Sequence, residues 1–354
     1  MKILTVIGAR PQFIKAAAVS RAFNAHAIEE IIVHTGQHFD DNMNTIFFEE
    51  LKIPKPTYNL GINQLNHGAM TGRMMEEIEK ILLSEKPTHL LVYGDTNSTL
   101  AGALAAKKQH IKVIHVEAGL RSFNNAMPEE INRILTDRIS DYLFCPTYHA
   151  IENLEKEGFE NFDCEIIRNG DVMLDSALYY QEYAKMPSFN LPQNYILTTL
   201  HRAENTDNLD RLRNIISTLN DVNEVIPVLL LLHPRTEQIL EKEKIATNFQ
   251  VEQPVGYLEM IHLIKHCRLV MTDSGGLQKE AFFFKKFCLT LRDETEWTEL
   301  VKHGYNILVG AEPSLIMSNV KNSLSSEKDF EMDLYGQGNA SELLVKALKK
   351  EDLS

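Results

Sequence analysis

Three carboxylates carry the strongest chemical signal in the chain: Asp95 in Tyr93-Gly94-Asp95-Thr96-Asn97, Glu117 in His115-Val116-Glu117-Ala118-Gly119, and Glu129 in Met127-Pro128-Glu129-Glu130. The first two each end a short apolar run, so they sit at corresponding carboxyl ends of what read as neighbouring strands. Carboxylates gathered beside an anionic ligand would be costly without purpose, and the chemistry they suit is proton transfer. Each also has a plainer reading. Asp95 would cap a helix at 98–107, and Glu129 with Glu130 would favour a helix dipole in a first turn.

A second chemical group surrounds the turn in Leu269-Val270-Met271-Thr272-Asp273-Ser274-Gly275-Gly276-Leu277. Strand, turn and helix follow in that order, and the first turn of a helix leaves N–H groups free for an anion. Gly275 and Gly276 have no Cβ to keep a phosphate away, and Ser274 adds a hydroxyl; the plain alternative is an N-cap and a tight turn. Arg10 and Lys15 follow the first strand, His201 and His233 end two later strands, and Arg292 follows another. These are cations and donors suited to a diphosphate. No G-x-G-x-x-G follows the first strand and no H-x-x-H or H-E-x-x-H occurs, so neither a dinucleotide cofactor nor a metal is expected.

The elements that must position these groups alternate along the chain. Strands are predicted at 2–7, 29–34, 88–93, 111–116, 141–145 and 164–168, then at 195–200, 226–232, 269–272 and 287–291, with amphipathic helices between them. That order predicts an α/β protein of two Rossmann-like, doubly wound parallel sheets with a central cleft. The expected division is 1–168, 169–335 and a C-terminal helix and tail at 336–354, with 311–334 read as polar surface.

At 354 residues the chain exceeds one ordinary core, and its 44% hydrophobic and 24% charged composition is that of a globular protein. A net charge of −13 argues against nucleic-acid and membrane-surface partners. No apolar run approaches the roughly 18 residues of a membrane span, and the start MKILTVIGARPQF has no signal-peptide pattern, so a cytoplasmic location is expected. Four cysteines without C-x-x-C spacing read as buried free thiols.

The segments GARPQFIK, GQH, GDTNST, HVEAGLRS, MPEEINR, TLHRAEN, HPRT, PVGYLEM, TDSGGLQKEA and LRDETE, in this order, resemble the non-hydrolysing UDP-N-acetylglucosamine 2-epimerase family over about residues 1–310. The resemblance implies a fold similar to glycosyltransferase type B, no added cofactor, and a homodimer. It also implies elimination of UDP across carbons 1 and 2 of an amino sugar to a glycal, followed by re-addition. Asp95, Glu117 and Glu129 match the acid–base carboxylates, joined in the catalytic set by His201 at the phosphates. Arg10, Lys15, Arg133, Ser274, Gly275, Gly276 and Arg292 match substrate-binding positions, and Glu280 matches an acceptor for the ribose hydroxyls.

Two departures bear on the substrate. Gln37-His38 is followed by Phe39-Asp40-Asp41 where regulated members bind a second UDP-sugar, and acidic groups there would repel a diphosphate. Phe282-Phe283-Phe284-Lys285 and Glu296-Trp297-Thr298-Glu299 replace small residues and E-R-P-E. That version resembles the branch acting on UDP-2,3-diacetamido-2,3-dideoxyglucuronate, an intermediate for bacterial O-antigen sugars, with UDP-N-acetylglucosamine as the other candidate. Core packing is the plainer reading of the phenylalanines. A type B glycosyltransferase, a hydrolysing epimerase and a UDP-sugar sensor are the competing classes.

Overall fold

The computed structural model describes residues 1–37, 50–326, 329–330 and 333–351; the expected departure at His38–Asp41 lies outside them. The chain forms two units, Met1–Tyr179 with Asp333–Ser354, and Tyr180–Met332. The helix Val172–Tyr180 thus belongs almost wholly to the N-terminal unit, beyond the boundary expected at 168/169, and the C-terminal helix Ala340–Glu351 returns to that unit. Leu344, Val345 and Leu348 are buried there, and the Asp175 carboxylate accepts the Ala340 and Ser341 N–H groups at 3.0 and 2.7 Å, capping the returning helix from a distance.

The N-terminal unit holds a seven-stranded sheet, built from β1 (Lys2–Ile7), β2 (Glu29–His34), β3 (Tyr58–Asn59), β4 (His89–Tyr93), β5 (Lys112–Val116), β6 (Tyr142–Cys145) and β7 (Glu165–Arg168). Its order is β3-β2-β1-β4-β5-β6-β7 and every pairing is parallel. Between β1 and β4 the winding reverses, and loops at the carboxyl ends of those strands diverge to leave room for a ligand. Arg10 follows β1, Asp95 follows β4 and Glu117 follows β5.

The second unit repeats the plan with β8 (Ile196–Leu200), β9 (Val228–Leu232), β10 (Gln250–Glu252), β11 (Leu269–Thr272), β12 (Cys288–Thr290) and β13 (Asn306–Leu308), all parallel, in the order β10-β9-β8-β11-β12-β13. Alternate residues of its strands enter different cores. Ile196, Leu230, Met271 and Leu289 pack on one face, and Leu197, Leu229, Val270 and Cys288 on the other. The period of two with both faces apolar is why these strands read as continuous hydrophobic runs.

Among the described residues three strands escape the sequence pattern: β3, β10 and β13, of two or three residues each, and all three lie at sheet edges. An edge strand buries little, so its pattern is weak. The 311–334 segment also departs from its expected polar surface. A helix over Pro313–Ser325 buries Ile316 and Val320, one turn apart, in the core of the second unit.

One helix is polar toward the protein interior. Pro128–Ile139 buries Glu130, Asn132, Arg133, Thr136 and Asp137. Its outer face leaves Ile131 47% and Leu135 46% exposed.

All four cysteines are free thiols; Cys145, Cys267 and Cys288 are buried and Cys164 is half-buried. Burial pushes the Cys267 and Cys288 thiols up to about 12 and the Cys145 thiol well above its ordinary value. Since the thiolate is the reactive form, a thiol reagent at pH 8 is expected to titrate at most Cys164 in the native protein and all four cysteines after denaturation. Rapid native modification of three or more would contradict this packing.

Candidate active site

The N-terminal unit brings Asp95 and Glu117 to the ends of adjacent strands and gives each a cation. Lys15, from the helix Arg10–Ala25, pairs with Glu117, and both side chains are nearly buried at 6% and 10% exposure. Arg133, from the helix Pro128–Ile139, bridges Asp95 and Glu130, the latter at 2.5 Å. Lys15 and Arg133, matched on sequence to the substrate, therefore each hold a candidate acid–base carboxylate. Arg10 opens its helix half-buried, and Glu129 lies half-buried in the first turn of Pro128–Ile139.

Asp95 does not cap the helix that follows it. Thr96 takes that position, accepting the Thr99 N–H, and the helix runs Asn97–Lys108. The backbone around the carboxylates is specialised. Gly94 has φ +62° and Glu117 φ +73°, and a Cβ on Gly94 would stand 3.3 Å from both Glu117 Oε1 and Lys15 Nζ. A non-glycine residue in the left-handed region costs on the order of 1 kcal/mol or more and persists where surrounding bonds impose it. Here the Glu117 N–H donates to the Phe144 carbonyl at 3.1 Å.

Several residues that arrange these carboxylates gave no chemical signal on sequence. Gln12 accepts the Gly8 and Ala9 N–H groups and donates to the Tyr93 carbonyl at 2.8 Å, locking the turn after β1 to the end of β4. Asn132 donates to the Asp95 carbonyl at 2.9 Å. Glu130 accepts the N–H groups of Ser122 and Phe123. The signal that could have found Glu130 is the helical spacing of Glu130, Arg133 and Asp137, three and four residues apart on one face; Gln12 and Asn132 carry none.

In the second unit Ser274 is the N-cap of the helix Gly275–Phe283, but its hydroxyl does not cap; its N–H donates to Thr272 Oγ1 at 2.9 Å. The turn is organised by buried Asp273, which accepts the backbone N–H groups of His201 and Arg202 at 2.9 and 2.8 Å. His201 Nδ1 also lies 3.2 Å from Asp273, leaving its side chain 38% exposed. A Cβ on Gly275 would meet Glu296 Oε1, so a side chain there would displace that carboxylate. Arg292 is buried and bonds to Glu296 at 3.0 Å, with Glu204 at 3.5 Å. Burial opposes its charge, but Glu296 and Glu204 outweigh that and raise its pKa. Gly276 is half-buried and Glu280 buried, both on the same short helix. Among the described residues no group of three or more His, Cys, Asp or Glu side chains is arranged to hold a metal.

A family model for UDP-N-acetylglucosamine 2-epimerase matches residues 21–349. This chain belongs to the UDP-N-acetylglucosamine 2-epimerase family. It is 57% identical, over 99% of its length and 100% of the relative's, to a UDP-2,3-diacetamido-2,3-dideoxy-D-glucuronate 2-epimerase of Pseudomonas aeruginosa. Among solved structures, the Methanocaldococcus jannaschii UDP-GlcNAc 2-epimerase in complex with UDP-GlcNAc and UDP matches with a TM-score of 0.92 at 43% identity, covering 99% of this chain and 100% of that one. The UDP-GlcNAc 2-epimerase of Neisseria meningitidis bound to UDP-GlcNAc matches at 0.88 and 30%, with coverage of 99% and 100%. The epimerase is thus an isomerase with two Rossmann-like α/β units of the type B kind, as the sequence motifs implied.

The Arg133 bridge gives a stability test. Arg133→Leu leaves Glu130 buried with only N–H partners, and removing one member of a buried pair costs about 3–5 kcal/mol. Urea unfolding of the variant is expected to show a loss near the lower end of that range; a loss below about 1 kcal/mol would show that the bridge is not a stabilising contact.

Proposed function

We propose that this epimerase inverts carbon 2 of UDP-2,3-diacetamido-2,3-dideoxy-D-glucuronate without hydrolysing it. The reaction class rests on one observation: Asp95 and Glu117 stand at the ends of adjacent strands, each held by a cation from another helix. The substrate choice rests on the 57% identical relative of that name. The phenylalanine run gives it no support, because Phe282 packs against Tyr305 and Phe330 at ring separations of 4.8 and 6.1 Å. UDP-N-acetylglucosamine is the second reading, favoured by the name of the 43% identical relative of Methanocaldococcus jannaschii.

In this reading a carboxylate removes the proton from carbon 2 while the bond from carbon 1 to the UDP oxygen breaks, giving a glycal and free UDP. UDP then adds back at carbon 1 and a proton arrives on the opposite face of carbon 2. The two faces call for two proton carriers, and Asp95, Glu117 and Glu129 supply the candidates. No carbonyl acidifies carbon 2, so leaving-group stabilisation must do much of the work. Arg10, His201, Arg292 and the Ser274-Gly275-Gly276 turn serve the diphosphate, and Glu280 the ribose. Lys15 and Arg133 act on the sugar side through the carboxylates they hold.

The same proposal includes a cytoplasmic homodimer. Support for the dimer comes from Ile131 and Leu135, one turn apart and roughly half exposed on Pro128–Ile139, an apolar face that a second copy would cover.

Proton NMR in deuterium oxide, with each of the two sugars offered separately, tests the reaction. Deuterium is expected at carbon 2 together with the epimer of the diacetamido-glucuronate; turnover of UDP-N-acetylglucosamine alone would transfer the assignment to the second reading, and release of free sugar would replace it with hydrolysis. Asp95→Asn and Glu117→Gln are each expected to slow turnover about 100-fold with UDP affinity nearly intact. Near-normal turnover in both variants would remove the carboxylates from the chemistry.

A further inference from the structure

The helix Pro128–Ile139 carries a buried carboxylate that the reaction does not use. Asp137 accepts from His115 Nδ1 at 2.7 Å, from the Gly119 N–H at 3.1 Å and from Arg121 at 2.7 Å. His115 and Gly119 stand two residues before and two residues after Glu117, so one carboxylate brackets that residue from both sides.

The other nitrogen of His115 reaches the turn after β4. Nε2 lies 2.8 Å from the Gly94 carbonyl, which can only accept, so Nε2 donates. The Gly94 carbonyl belongs to the peptide plane on the amino side of Asp95, and the plane on its carboxyl side is held by Asn132 at the Asp95 carbonyl. With both planes fixed and its carboxylate on Arg133, Asp95 has little freedom left. Asn132, Arg133 and Asp137 share one helix face.

Resting on the epimerase reading above, we propose that Asp137 and His115 are positioning residues that hold Asp95 and Glu117 in register with one another. Asp137 fixes the imidazole; the imidazole fixes the Gly94 peptide; and the Gly119 and Arg121 bonds fix the chain beyond Glu117. Neither group touches substrate. Glu157, bound to Arg121 through Nε at 2.6 Å and Nη2 at 2.9 Å, completes the chain of charges by holding the guanidinium that faces Asp137.

The purpose of a buried polar chain here is geometric. Strand β5 would be apolar throughout its buried end but for His115, which lies between Ile114 and Val116 with no exposed surface. A purely structural role would be met by any residue filling the volume. A positioning role requires a donor aimed at the Gly94 carbonyl.

His115→Phe and His115→Gln separate the two, with Asp137→Asn as a third variant. Misplacement of a reacting group by about 1 Å can cost 100-fold in rate, so His115→Phe is expected to lower kcat about 100-fold while KM and UDP affinity stay within about threefold. His115→Gln, which keeps one donor for the carbonyl, is expected to recover at least about tenfold of that loss. Hydrogen exchange supplies a readout that needs no turnover. The Gly94 amide, bonded to the Val116 carbonyl, and the Gly119 amide on Asp137 are expected to exchange at least about tenfold faster in His115→Phe and Asp137→Asn, with the Val270 amide of the second unit unchanged.

Equal losses of kcat in the phenylalanine and glutamine variants, or amide exchange at Gly94 and Gly119 within about twofold of the parent, would overturn the proposal. If the parent turns over neither sugar, the substrate reading fails by itself, and the exchange experiment still decides the positioning role.

Discussion

A carboxylate at the end of a buried parallel strand must be met by a cation or by N–H groups, because leaving charge unpaired in a low-dielectric interior costs several kcal/mol. That constraint shapes the N-terminal unit. Asp95 and Glu117 follow adjacent strands whose residues are almost wholly buried, and the protein answers with Arg133 and Lys15. Supplying those cations from helices that also pack the sheet ties the two carboxylates to the core. The consequence is a helix, Pro128–Ile139, that faces inward with charge and outward with Ile131 and Leu135.

In the second unit the turn after β11, assigned above to a diphosphate by proposal, has the acids Asp273 and Glu296 among its nearest groups. Asp273 is consumed by backbone N–H groups of His201 and Arg202, which joins the turn after β8 to that after β11 at the point where the strand order reverses. Glu296 is held by Arg292. Lys279 is buried with its ammonium 4.1 Å from the centre of the Trp297 ring, so the cation next to this turn is engaged within the fold.

Much of this could be read from residues alone. Ten of the strands show as apolar runs because both faces of each sheet are covered, and the candidate site residues lie in the turns and helices after them, of types suited to binding anions or carrying protons. What the pattern missed has a physical cause. The three unseen strands are short edges with little apolar surface, and Gln12, Asn132, His115 and Asp137 are common residues whose role exists only through a partner distant in sequence. Arg133 illustrates the limit: the resemblance matches it to a substrate-binding position, and only the fold shows its guanidinium placed between Glu130, one turn away, and Asp95, at the end of β4.

Sequence by itself therefore determined the two parallel sheets, which follow from hydrophobic period, and the family, which follows from its ordered motifs, and it named the candidate acid–base and anion-binding groups from residue type and that resemblance. Tertiary structure decided which cation holds which carboxylate, that Thr96 rather than Asp95 caps the helix after β4, and that Glu117 adopts a left-handed backbone. Those outcomes depend on long-range packing. Lys15 and Glu117 are far apart along the chain, and only the parallel order of β1, β4 and β5 brings them together.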